Sequence, residues 1–110
     1  MDKRTNKMET MYYPGWREIV TFSTEGPQPH VLLDAEGLKV VVAGLLPGQS
    51  IPPHPESLGI FYILEGNGWM MVAGKRLAIE AGATMIVPDG AARGLEAQTQ
   101  LAFTVTRVAS

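Results

Sequence analysis

The chain has 110 residues, a length that fits one domain and leaves no room for a second. Hydrophobic residues make up 45% and charged residues 18%, with a formal net charge of −2, which excludes a disordered chain and a nucleic-acid binder with clustered positive charge. The chain has no cysteine, which excludes disulfides, thiolate zinc sites and a cysteine nucleophile.

The N-terminus gives no sign of targeting to a membrane. It is basic, but it lacks the apolar core of a signal peptide. The longest apolar run, residues 38–46, is interrupted by Lys39 and Gly44 and is too short to span a bilayer. We therefore expect a soluble, unprocessed, cytoplasmic protein with neither a membrane nor a nucleic acid as partner.

Residues 1–15 are predicted to form an N-terminal arm ahead of a barrel domain at residues 16–110. The arm and its junction concentrate large apolar side chains that a loose tail would not need: Met8, Met11, Tyr12, Tyr13 and Trp16. The arm either packs over its own barrel or crosses onto a partner subunit. Because small β-barrels often close exposed apolar faces by symmetric association, we expect a homodimer.

Short apolar segments separated by turn residues predict an all-β chain. The 12 glycines and 8 prolines recur at the spacing of short strands joined by turns. The predicted strands are residues 17–23, 31–34, 38–46, 59–65, 69–73, 76–80, a short one within 82–90, and 101–108. The proline-rich segment 46–57 cannot be helical and can pair only at a sheet edge. No segment holds a helical period, so the chain is predicted to be a β-sandwich or β-barrel.

About half of the chain carries spaced glycine, proline and histidine residues typical of one family. The residues concerned are Gly48, Ile51, Pro52, Pro53, His54, Pro55, Gly66, Gly82, Pro88 and Gly90. Their order and spacing resemble the cupin motifs G-x5-H-x-H-x3,4-E-x6-G and G-x5-P-x-G-x2-H-x3-N. The resemblance implies a single-domain cupin-like antiparallel β-barrel or sandwich, the double-stranded β-helix.

The metal-ligand positions of the cupin motifs are mostly replaced in this sequence. The histidine of the second motif falls on Arg93, whose guanidinium stays protonated and offers no lone pair. If Gly48 sets the register of the first motif, His54 is its first histidine and Glu56 stands in place of the second. The glutamate position is then Ile60 or Phe61.

A second alignment of the first motif is equally open. If Gly66 sets the register, His54 is the second histidine, Pro52 takes the place of the first, and the glutamate position is Gly59. Either way one of three histidines remains, whereas a retained transition metal needs at least three protein ligands. We therefore predict no metal and no cofactor, unless a residue such as His30 supplies a ligand that the spacing does not reveal.

The predicted ligand-binding residues are His54, Glu56, Arg93 and Phe61. An extended segment 52–56 would place His54 and Glu56 on one face, which the resemblance places in the barrel interior close to Arg93. In one interpretation Glu56 and Arg93 form an ion pair that fills the former metal site. In the other, Arg93 offers its planar fork to an anionic ligand, with His54 as a second donor and Phe61 lining the pocket.

The leading hypothesis is a cupin that binds a small anionic or polar molecule without the usual metal. The alternative is a divergent metal-dependent enzyme, an oxygenase or isomerase, that uses His54 and Glu56. Two further hypotheses are a metal-free enzyme, with His54 as acid or base and Arg93 holding an oxyanion, and a regulatory partner protein that binds through its arm.

Overall fold

Nine antiparallel β-strands dominate residues 9–109, the part of the chain that the computed structural model describes. The strands are β1 (His30–Ala35), β2 (Leu38–Leu45), β3 (Ser50–Pro55), β4 (Leu58–Glu65), β5 (Asn67–Val72), β6 (Lys75–Glu80), β7 (Thr84–Val87), β8 (Ala92–Ala97) and β9 (Leu101–Val108). No helix in these residues is long and apolar enough to cross a membrane. The predicted all-β fold is confirmed.

The strands form two sheets that enclose one core. The larger sheet has the order β1-β2-β9-β4-β7 and the smaller one the order β3-β8-β5-β6. At the centre of the larger sheet lies β9, hydrogen-bonded to β2 and β4 on its two sides. Its buried residues Leu101, Phe103 and Val105 alternate along the strand and face the other sheet.

The core is built from the inward residues of both sheets. Ile63 and Leu45 from the larger sheet and Met70 from the smaller one are completely buried. The rings of Phe61 and Phe103 pack with their centroids 6.1 Å apart. Each buried side chain of this size contributes on the order of 1.5–3 kcal/mol, so the meeting of the two sheets is the main source of stability.

The predicted strand at residues 17–23 is wrong. The segment begins as a 3₁₀ helix at Trp16–Glu18 and afterwards forms only an isolated bridge between Thr21 and Gln28. Val20 and Phe22 lie over Gly44 of β2, where an added Cβ would come within 2.7 Å of Val20 and 2.6 Å of Phe22. The apolar residues of this segment therefore cover the outer face of β2 instead of joining a sheet.

The proline-rich segment forms an edge strand, and the strand beside it was not predicted. β3 pairs with β8 alone, at the edge of the smaller sheet, so the expectation that this segment pairs only at an edge is confirmed. β8 has the sequence ARGLEA, without a β-branched or aromatic residue. It is a strand because it has a partner on each side, β3 and β5, a tertiary effect that overrides its weak local propensity.

Part of the predicted arm lies within the described residues. Residues 9–15 form no helix or strand, and Tyr13 donates a hydrogen bond from its hydroxyl to the carbonyl of Leu32, at 2.8 Å. Tyr12 is 81% exposed. Residues 1–8, which include Met8, lie outside the described residues. The arm boundary at residue 15 stays a prediction.

Candidate functional site

A cavity opens between the sheets at the end where the β3–β4 and β7–β8 loops meet. Its volume is about 240 Å³, close to the lower end of the range of roughly 300–1,000 Å³ typical of small-molecule sites. Its walls are mostly apolar and its polar groups converge at one end. The side chains discussed below are Phe61, Phe103 and Val105 on the apolar side and His54, Glu56, Arg93 and Arg107 on the polar side.

His54 and Glu56 lie together at the polar end of the cavity, as the sequence predicts. Nε2 of His54 and Oε2 of Glu56 are 3.0 Å apart. Nδ1 of His54 lies 3.1 Å from the carbonyl oxygen of Pro52. The His54 side chain is 49% exposed and that of Glu56 34%, so both groups are accessible from solvent.

A β-bulge in β3 aims His54 into the cavity. Ile51 is opposite Leu95, but His54 is opposite Arg93, so three steps along β3 match two along β8. Ile51 and His54 therefore both line the cavity, although an odd separation would normally place them on opposite faces. The bulge crosses directly over Gly94, where a Cβ would lie 2.7 Å from the Pro53 nitrogen.

Arg93 is buried, with 3% of its surface exposed, and its guanidinium is held by backbone carbonyls. Nε donates to Ala91 at 2.8 Å, Nη1 to Ser57 at 2.9 Å, and Nη2 to Glu56 and Pro88 at 3.2 and 3.0 Å. We call Arg93 and these four carbonyl groups the Arg93 junction. A guanidinium has five N–H donors, so at most one remains for a ligand.

This arrangement differs from the ion pair between Glu56 and Arg93 that one interpretation of the sequence predicts, while a ligand contact of Arg93 stays a prediction. The Glu56 carboxylate hydrogen-bonds to His54, while Arg93 contacts Glu56 through its main-chain carbonyl. Desolvation by burial lowers the pKa of the Arg93 guanidinium; the charge of Glu56 opposes this effect, Arg107 adds to it, and Asp89 opposes it. The guanidinium stays protonated at neutral pH, so the junction carries a buried positive charge.

Arg107 is the site residue that the sequence analysis missed. It is half-buried near the end of β9 and lines the cavity, and its side chain has no hydrogen bond or ion pair with any residue in 9–109. Its position could have been found from the alternation of Leu101, Phe103 and Val105, which places residue 107 on the same inward face. A charged residue at a strand end is usually exposed to solvent, so the sequence pattern did not predict Arg107 as a site residue.

The remaining candidates separate into one cavity residue and one distant residue. Phe61 is 6% exposed and forms part of the cavity wall, packed on Phe103. His30 lies on β1, and its Nε2 is 2.9 Å from the hydroxyl of Thr21. His30 does not line the cavity, so it is not placed to complete a set of ligands with His54.

The sequence and fold comparisons agree on one family. The sequence model of the cupin domain matches residues 41–107, more than half of the chain. The chain therefore belongs to the cupin family, and its two sheets form the double-stranded β-helix that the motifs implied. A comparison with curated proteins finds no match.

Similar solved structures support the same fold. A conserved protein of unknown function from Streptococcus pyogenes superposes with a TM-score of 0.82 at 20% identity, covering 96% of this chain and 93% of that one. An uncharacterized protein with a double-stranded β-helix domain from Klebsiella pneumoniae superposes with a TM-score of 0.82 at 23% identity, covering 91% of this chain and 90% of that one. A predicted oxalate decarboxylase from Thermotoga maritima superposes with a TM-score of 0.72 at 26% identity, covering 76% of this chain and 81% of that one.

The donor groups at the site do not fit the metal ion that cupins usually hold. Within residues 9–109, no three His, Asp or Glu side chains lie close enough together to share a metal ion. His54 and Glu56 supply two donors, and the residue opposite His54 is the cationic Arg93. A guanidinium in that position repels a cation and offers it no lone pair.

The structure shows which candidate positions for the glutamate of the first cupin motif face the cavity. Ile60 lies on the outer face of β4 and is 36% exposed, whereas Gly59 and Phe61 face inward. A Cβ added to Gly59 would lie 2.9 Å from Nη1 of Arg93. The guanidinium therefore occupies space next to residue 59 that a larger side chain, such as the glutamate of the motif, would need.

Proposed function

We propose that this cupin binds a small anionic or polar molecule in its cavity, without the metal ion usual in the family. The observation that carries the proposal is Arg107. Its side chain lines a largely apolar cavity, and no carboxylate oxygen of residues 9–109 lies within 4.0 Å of its nitrogens. A partly desolvated guanidinium binds best to a carboxylate or phosphate, which can accept two parallel hydrogen bonds.

The predicted site residues take distinct parts in this proposal. His54 is a second polar contact for the ligand. Glu56 orients the His54 ring through the 3.0 Å hydrogen bond to Nε2. Phe61 forms the apolar wall against which the rest of the ligand packs. Arg93 adds positive potential and holds the loops around the cavity, while Arg107 makes the direct contact with the anion.

One similar structure is consistent with a carboxylate ligand. The Thermotoga maritima protein is described as a predicted oxalate decarboxylase, and oxalate is a small dicarboxylate, so the likeness supports the anionic class of ligand and not the number of its charges. The Arg107 environment leads to the same chemical class from the charge distribution alone.

Thermal unfolding with a panel of small anions tests the proposal. Acetate, butyrate, benzoate and succinate are compared with the neutral amides of the same shape, and phosphate is included as an anion without a carboxylate. At about ten times its Kd, a ligand adds about 1.4 kcal/mol to the free energy of unfolding. For a domain of this size we expect Tm to rise by roughly 4–8 °C per kcal/mol. Arg107→Gln should abolish the rise; if no anion raises Tm, or if Arg107→Gln changes nothing, the proposal is wrong.

Metal content decides between this proposal and the metal-dependent alternative. Inductively coupled plasma mass spectrometry on tag-free protein, purified without a chelating column, should find no stoichiometric transition metal. A stoichiometric metal that is lost in His54→Gln would contradict the metal-free proposal. It would favour the divergent enzyme that uses His54 and Glu56.

We also propose a cytoplasmic location for this protein.

We further propose that the protein is a homodimer. On the outer face of the larger sheet, Ile60 and Ile86 are paired across β4 and β7, and Ile86 is 67% exposed. Tyr62, two residues along β4, is 44% exposed. A second copy of the chain would cover this apolar stripe. Light scattering should give the dimer mass for the wild type and the monomer mass for Ile86→Glu; a wild-type monomer at all concentrations would refute it.

A further inference from the structure

Two recesses meet at the open end of the sandwich and share two side chains. The cavity of about 240 Å³ lies on the inner side, and a second recess of about 290 Å³ lies at the surface. Glu56 and Arg107 line both of them. The inner recess is apolar around Phe61, while the outer one is bordered by Asp34 and Lys39. A molecule that occupied both would meet an apolar region and a charged region in turn.

The charged region places like charges opposite each other. Lys39 and Arg107 are direct partners in the β2–β9 register, so their side chains leave the same face of the sheet with Cβ atoms about 4.5–5.5 Å apart. Such a pair is destabilising unless a negative charge lies between its members. Neither side chain forms an ion pair with residues 9–109. The two cations are therefore placed around a position that an anion would stabilise.

The carboxylates near this position do not form close ion pairs with its two cations. The charges of Glu56 and Asp89 act on Arg93, and the Glu56 carboxylate is hydrogen-bonded to His54. Asp34 lies opposite Lys39 on β1. Within residues 9–109, however, no carboxylate oxygen lies within 4.0 Å of the side-chain nitrogens of Lys39 or Arg107. A ligand with a single anionic group would supply that contact.

We infer that the ligand is an amphipathic monoanion, a monocarboxylate with a short chain or a single ring. Its carboxylate lies between Arg107 and Lys39, and its apolar part enters the inner cavity beside Phe61. This inference rests on the proposed function and narrows the class of ligand. If each non-hydrogen atom takes the roughly 30 Å³ of a water molecule, the cavity of about 240 Å³ holds on the order of eight atoms.

The apolar inner wall excludes a second charge at the far end of the ligand. The inner cavity is bounded there by Phe103, Val105 and Leu95, all of which are nearly completely buried. A second carboxylate among these side chains would lose its hydration without gaining a partner, which is strongly unfavourable. A dicarboxylate of the same length should therefore bind much more weakly than a monocarboxylate.

Isothermal titration calorimetry on the full chain tests this selectivity. The ligands are acetate, butyrate, hexanoate and benzoate, with hexanamide and benzamide as uncharged controls and adipate as the dicarboxylate of hexanoate length. We expect affinity to rise about fourfold per methylene, equivalent to about 0.8 kcal/mol per buried CH₂. The amides and adipate should bind at least about tenfold more weakly than the matching monocarboxylates.

Two variants locate the carboxylate, and one variant serves as control. Arg107→Gln should weaken hexanoate binding by about tenfold or more, because a charged hydrogen bond is lost. Lys39→Gln should weaken it by about threefold, as expected for a partly exposed ion pair. Lys75→Gln, in the exposed β5–β6 hairpin, should leave it unchanged. Hexanamide binding should not respond to any of the three.

The outcomes separate this inference from the proposed function. If no anion binds, both are wrong. If anions bind through Arg107 but affinity does not rise with chain length, or if adipate equals hexanoate, the proposed function holds and the amphipathic monoanion is refuted. If Lys39→Gln has no effect beyond that of Lys75→Gln, the placement of the carboxylate between Lys39 and Arg107 is refuted.

Discussion

Two arginines at the same end of the sandwich are in opposite situations. Arg93 is buried and its guanidinium donates to four backbone carbonyls from two loops. Arg107 lines the same cavity, and its side chain forms no hydrogen bond or ion pair within residues 9–109. The Arg93 junction therefore holds the structure together, whereas Arg107 has its hydrogen-bonding capacity available for a ligand.

The difference shows that residue type and burial do not by themselves identify a binding group. An arginine opposite a histidine in a barrel interior suggests a ligand contact, but the carbonyls of Glu56, Ser57, Pro88 and Ala91 satisfy it internally. A binding residue is better identified by the hydrogen-bond donors of its side chain that have no partner within the protein. If this comparison is correct, the two arginines must respond oppositely to mutation.

The largest effect is expected for Arg93→Met. The substitution removes all four hydrogen bonds of the guanidinium. The carbonyls of Glu56 and Pro88 keep backbone donors from Gly90 and Ala91, whereas those of Ser57 and Ala91 lose their Arg93 donor in a partly buried site. We expect a loss of about 3–5 kcal/mol in the free energy of unfolding, measured in urea. Arg93→Lys should recover only part of this loss, because an ammonium group cannot reach the carbonyls of two loops in a fixed plane.

The matched control for Arg93 is Arg76→Met. The Arg76 side chain is 54% exposed, forms an ion pair with Glu96 at 3.3 Å and lies over the Trp69 ring. Contacts of this kind on the surface are worth about 1 kcal/mol or less. If Arg93→Met and Arg76→Met cost the same, the Arg93 junction does not have the structural role that we assign to it.

An intermediate effect is expected for Gly94→Ala, beside the junction. A Cβ at this position would lie 2.7 Å from the Pro53 nitrogen and 3.0 Å from the Pro52 carbonyl carbon. These are backbone atoms of the bulge and cannot rotate away, so we expect a loss of about 1–3 kcal/mol in stability. Gly15→Ala, where a Cβ meets nothing within 4 Å, should change stability by less than about 0.5 kcal/mol. Equal unfolding midpoints in urea would contradict the close approach of the bulge.

The smallest effect on stability is expected for Arg107→Met. The substitution breaks no side-chain hydrogen bond or ion pair with residues 9–109 and removes the like-charge opposition to Lys39. The free energy of unfolding without ligand should therefore stay the same or rise by up to about 0.5 kcal/mol. If the free energy of unfolding fell by more than about 2 kcal/mol, Arg107 would stabilise the fold as Arg93 does, and its role as a ligand contact would be refuted.

Much of the fold could be predicted from local patterns, and the exceptions have a common cause. The strands at 38–46, 59–65 and 101–108 carry strong apolar and β-branched signals and were located correctly. The predicted strand at 17–23 failed because Val20 and Phe22 pack across a sheet face instead of joining its edge. β8 was missed because its stability comes from its neighbours on both sides rather than from its own residues.

The amino-acid sequence by itself determined the family and the all-β class, and it led to the prediction that most metal-ligand positions are replaced. Glycines, prolines and histidines at fixed spacing are local properties that a chain displays without folding. The tertiary structure alone decided that Arg93 donates to backbone carbonyls and that the Arg107 side chain has no hydrogen bond or ion pair with residues 9–109. Those roles depend on where carbonyls from distant loops and the charge of Lys39 come to lie, and hydrogen bonds between residues far apart in the chain exist only after it has folded.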